Sequence, residues 1–187
     1  IARREGREPQ EVAYDILLER DGHELIFLPF TNYTERNHEI ILEMMKDDQS
    51  LFGLGDGGAH CGLICDATIP TYLLTHWVRD RNRGERLPLE WIVKRQTRDN
   101  AEFFGLHDRG TLAPGMKADV NVIDFDRLTL KPPHIVHDLP AGGRRLVQKA
   151  EGYLATIQSG QVTFEQGVHS GALPGTLVRG RQKPPAA

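Results

Sequence analysis

Cysteine is nearly absent from this 187-residue chain, which has Cys61 and Cys65 and no others. A disulfide scaffold needs more, so a reducing cytoplasm is the expected compartment. Long apolar runs are missing too. None approaches the roughly 20 residues that a membrane-spanning helix requires. The segment Ile1-Ala2-Arg3-Arg4-Glu5-Gly6-Arg7-Glu8 lacks a signal peptide's apolar core. It also lacks an initiator Met, so a trimmed chain or a fragment is expected. Excess charge of one sign is absent as well. A net charge of −3 gives no electrostatic case for nucleic acid or an anionic membrane as partner.

What is present is an ordinary globular composition, 39% hydrophobic and 26% charged. Glu11 to Arg20 reads as an amphipathic helix begun at Pro9 and stopped by Asp21-Gly22. Glu24 to Phe30 is a short apolar strand. Glu35 to Lys46 is helical, with Ile40, Ile41, Met44 and Met45 on one face. A second strand, Leu51 onward, ends at Asp56. This order is that of parallel βαβ units. Helices follow from Thr68 or Pro70 to Arg79, from Pro88 to Arg95, and from about Asp99 to Phe104, the last stopped by Gly105.

After Gly110 the pattern turns to Pro, Gly and β-branched residues. Asp119 to Asp124 alternates as a strand does. Tyr153–Gln158, Ser159-Gly160 and Gln161–Glu165 read as a hairpin. Between them, Pro132-Pro133, Pro140 and Gly142-Gly143 mark a long irregular connection.

The sharpest chemical feature is Gly53-Leu54-Gly55-Asp56-Gly57-Gly58-Ala59-His60. An apolar stretch ends in a carboxylate among glycines, which let a substrate or a metal approach the backbone. In α/β folds chemistry sits at strand C-termini. An Asx-turn aspartate is the plain alternative. His60, four residues on, could bind substrate or only hydrogen-bond within its loop. Asn32 and Tyr33, past the other strand, could line a pocket. His60, Cys61, Cys65 and Asp66 could form a small metal cluster, although small buried cysteines are the simpler reading. His134 and His137 read as surface or structural residues, Asp119 as a turn or packing residue, and Arg79, Arg81 and Arg83 as a solvated helix end.

These residues resemble the end of the amidohydrolase superfamily barrel, in particular the N-acyl-D-amino-acid deacylase (D-aminoacylase) family. There a strand ends in Gly-x-Ser-Asp-Gly; here Gly55 replaces the serine and Asp56 is retained. Thr97 to Leu106, then Gly110-Thr111-Leu112-Ala113-Pro114-Gly115-Met116-Lys117-Ala118-Asp119-Val120, is similar to the run from the last barrel helix into the C-terminal β-domain. Gly171-Ala172-Leu173-Pro174-Gly175 is similar to the family's tail.

The resemblance implies an α/β fold: the last units of a TIM-type (β/α)8 metal-dependent hydrolase barrel over residues 1–106, then a small β-rich composite sandwich over 107–187. It implies hydrolysis of an N-acyl (D-)amino acid, with Asp56 as metal contact and base. Gly57 and Gly58 would border the substrate, with His60, Asn32 and Tyr33 beside it. The superfamily's His-x-His and central bridging ligand have no counterpart here, so zinc is expected in a complete enzyme and only weakly in this chain alone. Two strands cannot close a barrel. The missing N-terminal portion, or self-association, is the expected partner. The rivals are a non-catalytic chain that works as a partner or self-associating subunit, and a hydantoinase-like cyclic amidase.

Overall fold

The computed structural model describes residues 1–28, 31–53, 55 and 60–185. Helices come first: α1 (Ala2–Glu5), α2 (Pro9–Gly22), α3 (Glu39–Lys46), α4 (Ile69–Tyr72), a π-helix (Leu73–Asp80), α5 (Leu89–Gln96) and α6 (Arg98–Phe103). Strands follow: β1 (Val120–Ile123), β2 (Thr129–Leu130), β3 (His134–Leu139), β4 (Gly143–Val147), β5 (Ala150–Glu151), β6 (Tyr153–Gln158), β7 (Gln161–Glu165) and β8 (Val168–His169). They pair as one four-stranded sheet in the order β1-β6-β7-β8 and two ribbons, β2-β5 and β3-β4. The named strand pairs are antiparallel.

Helix boundaries follow local chemistry. The regular part of α2 ends at Leu18, because Glu19 is extended and Arg20 and Asp21 take left-handed φ values of 52° and 58°. Its amphipathic reading is corrected in part: Val12 is buried, while Tyr14, Leu17 and Leu18 are exposed. Helix α3 starts at Glu39, not Glu35, because the Asn37 side chain accepts the Glu39 N–H at 2.9 Å. Its inward residues are Leu42 and Met45, with Ile41 at the edge; Ile40 and Met44 face out. The helix expected to run to Arg79 widens into the π-helix, and Arg81 N–H donates to His76 C=O at 2.8 Å, five residues back.

The two expected barrel strands do not form among the described residues. Leu25–Leu28 and Leu51–Gly53 lie in no ladder. Each is an apolar run without a strand neighbour among the described residues, and such a run cannot make a sheet alone. Gly53 also departs from strand geometry at φ 121°. Pro29, Phe30, Leu54 and Asp56, which the expected strands included, lie outside the described residues.

The β region matches expectation in β1 and in the β6-β7 hairpin, whose turn residues Ser159 and Gly160 take φ values of 50° and 79°. Asp119 serves that turn, its carboxylate accepting the Ser159 N–H at 2.8 Å. The long connection expected to be irregular is instead the β3-β4 hairpin. Its turn, Pro140–Gly142, forces Ala141 to a left-handed φ of 58°. His134 and His137 sit on β3 and are exposed.

One core joins the helical and β regions. Leu42, Met45, Leu73, Leu74, Trp77, Leu87, Ile92 and Leu128 are buried together, with Ile123, Phe125 and Tyr153 packed against them. Ile92 and Leu128 are fully covered, at 0% exposure. Polar ties cross the same boundary: the Thr71 and Tyr153 hydroxyls meet at 2.8 Å, and Thr68 donates to the Gln148 side chain at 2.7 Å.

Candidate functional site

Asp56, Gly57 and Gly58 lie outside the described residues. The approach to them is described, and side chains from α5 and α6 fix it. Asn100 Nδ2 donates to Phe52 C=O at 2.7 Å and to Gln96 C=O at 3.3 Å. Arg95 Nη2 donates to Ser50 C=O and, at 3.3 Å, to Asp47 C=O. The Arg95 guanidinium also lies 5.0 Å from the Phe52 ring centre and 5.5 Å from that of Trp91. Asp99 in turn pairs with Arg95 and Lys94. The carbonyls that a strand would give to its neighbours are therefore taken by side chains. Gly55 sits against the Ala67 backbone, where an added Cβ would be 3.4 Å from Ala67 Cα.

The other candidates scatter. Asn32 is exposed with a left-handed φ of 57°. His60 is exposed at φ 45°, and its carbonyl accepts the Leu63 and Ile64 N–H groups, opening the following turn. Cys61 and Cys65 are free and half-buried, and burial raises the Cys65 thiol pKa.

Tyr33 is drawn into a group that sequence reading did not single out. Its ring is 5.2 Å from His38, and His38 is 5.5 Å from His76, centre to centre. Tyr72 stacks on His76 at 4.8 Å, and Trp77 meets both imidazoles edge-on or tilted. Burial, then the nearby cationic or imidazole neighbours, lowers the pKa of both histidines, so neutral rings are favoured. Arg81 borders this group with 2% exposure; it pairs with Glu39 and donates to Arg83 C=O at 2.6 Å. Arg79 instead reaches the Phe125 and Leu128 carbonyls. The solvated-helix-end reading of Arg79 and Arg81 is thus corrected: both are spent on protein contacts. A π-helix, which a hydrophobic pattern does not announce, gathers these groups.

Among the described residues, no three His, Cys, Asp or Glu side chains converge on a point that could hold a metal ion. They do not by themselves fit a zinc site, and the His60-Cys61-Cys65-Asp66 cluster does not form one. No described helix is long and apolar enough to cross a membrane.

Two curated proteins are similar over part of the chain. Both are 5-methylthioadenosine/S-adenosylhomocysteine deaminases, from Desulfitobacterium hafniense strains DSM 10664 / DCB-2 and Y51. Each is 42% identical over 67 residues, covering 33% of this chain and 15% of the relative. The aligned part is therefore a small share of those proteins. No solved structure matches. A model of the Amidohydrolase family matches residues 17–164, a span that runs from α2 through the Asp56 segment and the clamp of Arg95 and Asn100 into β7, and this chain belongs to that family.

Proposed function

We propose that this chain is the C-terminal part of a hydrolase that cleaves the carbon–nitrogen bond of N-acyl (D-)amino acids. Residues 1–106 would be the last βα units of its barrel and 107–187 its β-rich domain. The observation that carries this reading is Asp56 in its Gly-Asp-Gly-Gly setting, inside the matched family span and directly after a backbone fixed by Asn100 and Arg95.

In this reading the Asp56 carboxylate takes a proton from the attacking water and returns it to the leaving amine. Backbone groups of Gly57 and Gly58 border the acyl group. His60, Asn32 and Tyr33 would contact the rest of the substrate only from separate places, since Tyr33 packs on His38 and nothing among the described residues brings the three together. The zinc that the resemblance implies would need ligands beyond the described residues, and Asp56 would add one carboxylate to them.

A second reading has one observation in its favour, the similarity to the two deaminases. Deamination also adds water across a carbon–nitrogen bond, but it releases ammonia from a ring. The test uses the full-length protein with two panels: N-acetyl D- and L-amino acids, and 5-methylthioadenosine with S-adenosylhomocysteine. Free amino acid from the first panel supports deacylation. Ammonia from the second, with an inert first panel, replaces it with deamination. Asp56→Asn should fold normally and lose about a thousandfold in turnover. Near-native activity in that variant ends the assignment of the base.

A further inference from the structure

We propose that the cavity between α6, the loop after it and the segment 181–185 is a binding site for a small organic carboxylate. The cavity measures about 310 Å³, at the small end of ligand pockets. Leu106, Met116 and Pro184 give it an apolar side, and Arg98, His107, Arg109 and Thr111 a polar one. It shares no residue with the Asp56 segment or with the His38–His76 group.

The wall that Pro184 supplies is held in place by its own chain. Gln182 pairs with Leu106 in a parallel bridge. Its N–H donates to Gly105 C=O at 2.8 Å, and its C=O accepts the His107 N–H at 3.3 Å. Gly105, at φ 68°, makes room for the neighbouring side chain: an added Cβ would stand 2.9 Å from Arg181 Cγ. Pro185 lies equally close over Gly115.

The polar side offers more donors than the protein uses. Arg109 is spent on Asp108, through Nε at 2.8 Å and Nη2 at 3.1 Å. Arg98 donates through Nε to Glu102 at 2.7 Å, which leaves its two Nη groups for a ligand. Arg181 Nη2 lies 3.4 Å from His107 Nε2. An arginine nitrogen can only donate, so Nε2 is the acceptor and the His107 proton sits on Nδ1, a further donor. The Thr111 hydroxyl adds another at the exposed rim. The one carboxylate of the lining, Glu102, is already engaged by Arg98. A ligand that accepts at one end and is apolar at the other matches both sides. Its carboxylate takes the Arg98, His107 and Thr111 donors, and its short chain covers Leu106, Met116 and Pro184. A cation of the same size would meet two guanidinium groups instead.

The test titrates the full-length protein with butyrate and with butylammonium by calorimetry. Butyrate should bind saturably at about 1–10 mM, and butylammonium should not. Arg98→Gln and Thr111→Val should each weaken butyrate about three- to fivefold, the scale of an exposed polar contact. Glu102→Gln should tighten it about twofold, by removing a like charge and releasing Arg98. Arg127→Gln, an exposed arginine outside the cavity, should change nothing. These side chains are exposed, so the variants should fold. No saturable butyrate binding, or equal uptake of butylammonium, overturns the proposal. So does an affinity unchanged in both Arg98→Gln and Thr111→Val, or one weakened as much by Arg127→Gln, since either places the anion elsewhere on the surface.

Discussion

The Arg81 guanidinium lies 4.3 Å from the centre of the Trp77 ring, at 2% exposure, and its charge is answered by Glu39. Its backbone carbonyl accepts from Arg86 at 2.7 Å, and an added Cβ at Gly84 would reach 2.3 Å from its Nη2. The loop after the π-helix is thus built around this one side chain. Arg81→Ala should cost about 2–4 kcal/mol, through lost packing on Trp77 and broken hydrogen bonds. Urea unfolding of the folded protein, followed by tryptophan fluorescence, measures it. A loss under about 0.5 kcal/mol, the range of a neutral surface change, would mean that the contact is incidental.

The His38–His76 pair gives a pH dependence of defined sign. Burial lowers both folded values from the ordinary 6.5; Arg81 adds to the effect on each, Arg83 on His38 and His38 on His76, while Glu39 and Asp80 oppose it. The unfolded chain therefore binds more protons just below 6.5, and stability rises with pH across that window. The contribution is complete above 6.5 and is lost as pH falls toward the folded values. The urea midpoint should drop between about pH 7.5 and 5.5, and His38→Asn with His76→Asn should flatten that slope. An equal slope in the double variant would place the titration elsewhere.

Leu128 comes from the β region yet is fully buried among α3, π-helix and α5 side chains. Leu128→Ala should cost about 2–5 kcal/mol. Because the core crosses from one region to the other, fluorescence of Trp77 and Trp91 and exchange protection of β6 and β7 should shift together. Separate transitions would show two units with independent cores.

Phe27 and Leu28 are 87% and 74% exposed, in a segment that has no strand partner among the described residues. An apolar run left in this way favours a covering partner. The 187-residue chain by itself should associate at low micromolar concentration in sedimentation, and Phe27→Glu with Leu28→Glu should return it toward a monomer. It should also carry no stoichiometric zinc by elemental analysis. A stable native monomer would remove the need for a partner at these residues, and tight zinc would bring His60, Cys61, Cys65 and Asp66 forward.

What the sequence makes legible is what local chemistry decides. The β6-β7 hairpin is readable because its alternation is interrupted by Ser159-Gly160, a pair suited to left-handed turns. Helix α5 is readable from Pro88 before it and Lys94-Arg95 in its last turn. The segments at Leu25 and Leu51 are misread because an apolar run reports burial, whereas a strand depends on neighbours elsewhere in the chain. At Ser50 and Phe52 the carbonyls went to Arg95 and Asn100, more than forty residues away. The β3-β4 hairpin is hidden because its turn uses Ala141 at positive φ, which no residue preference signals. Asp56 stands out through its glycines. Asn100 and the His38–His76 pair do not, since only tertiary packing gives them their partners.

The π-helix from Leu73 to Asp80 carries one last consequence. A wide turn admits more residues over the same rise than an α-helix does, so this stretch behaves as a helix that has absorbed an insertion. Deleting one residue within it would give the backbone a comfortable α-helical path. The segment downstream would shift along and around the helix axis, because α- and π-turns differ in rise and in residues per turn. Arg81 would leave the Trp77 face, and Leu87 would lose its backbone bond to the Trp77 carbonyl, now 2.8 Å. In this segment residue count, more than residue identity, keeps the far side of the core in register.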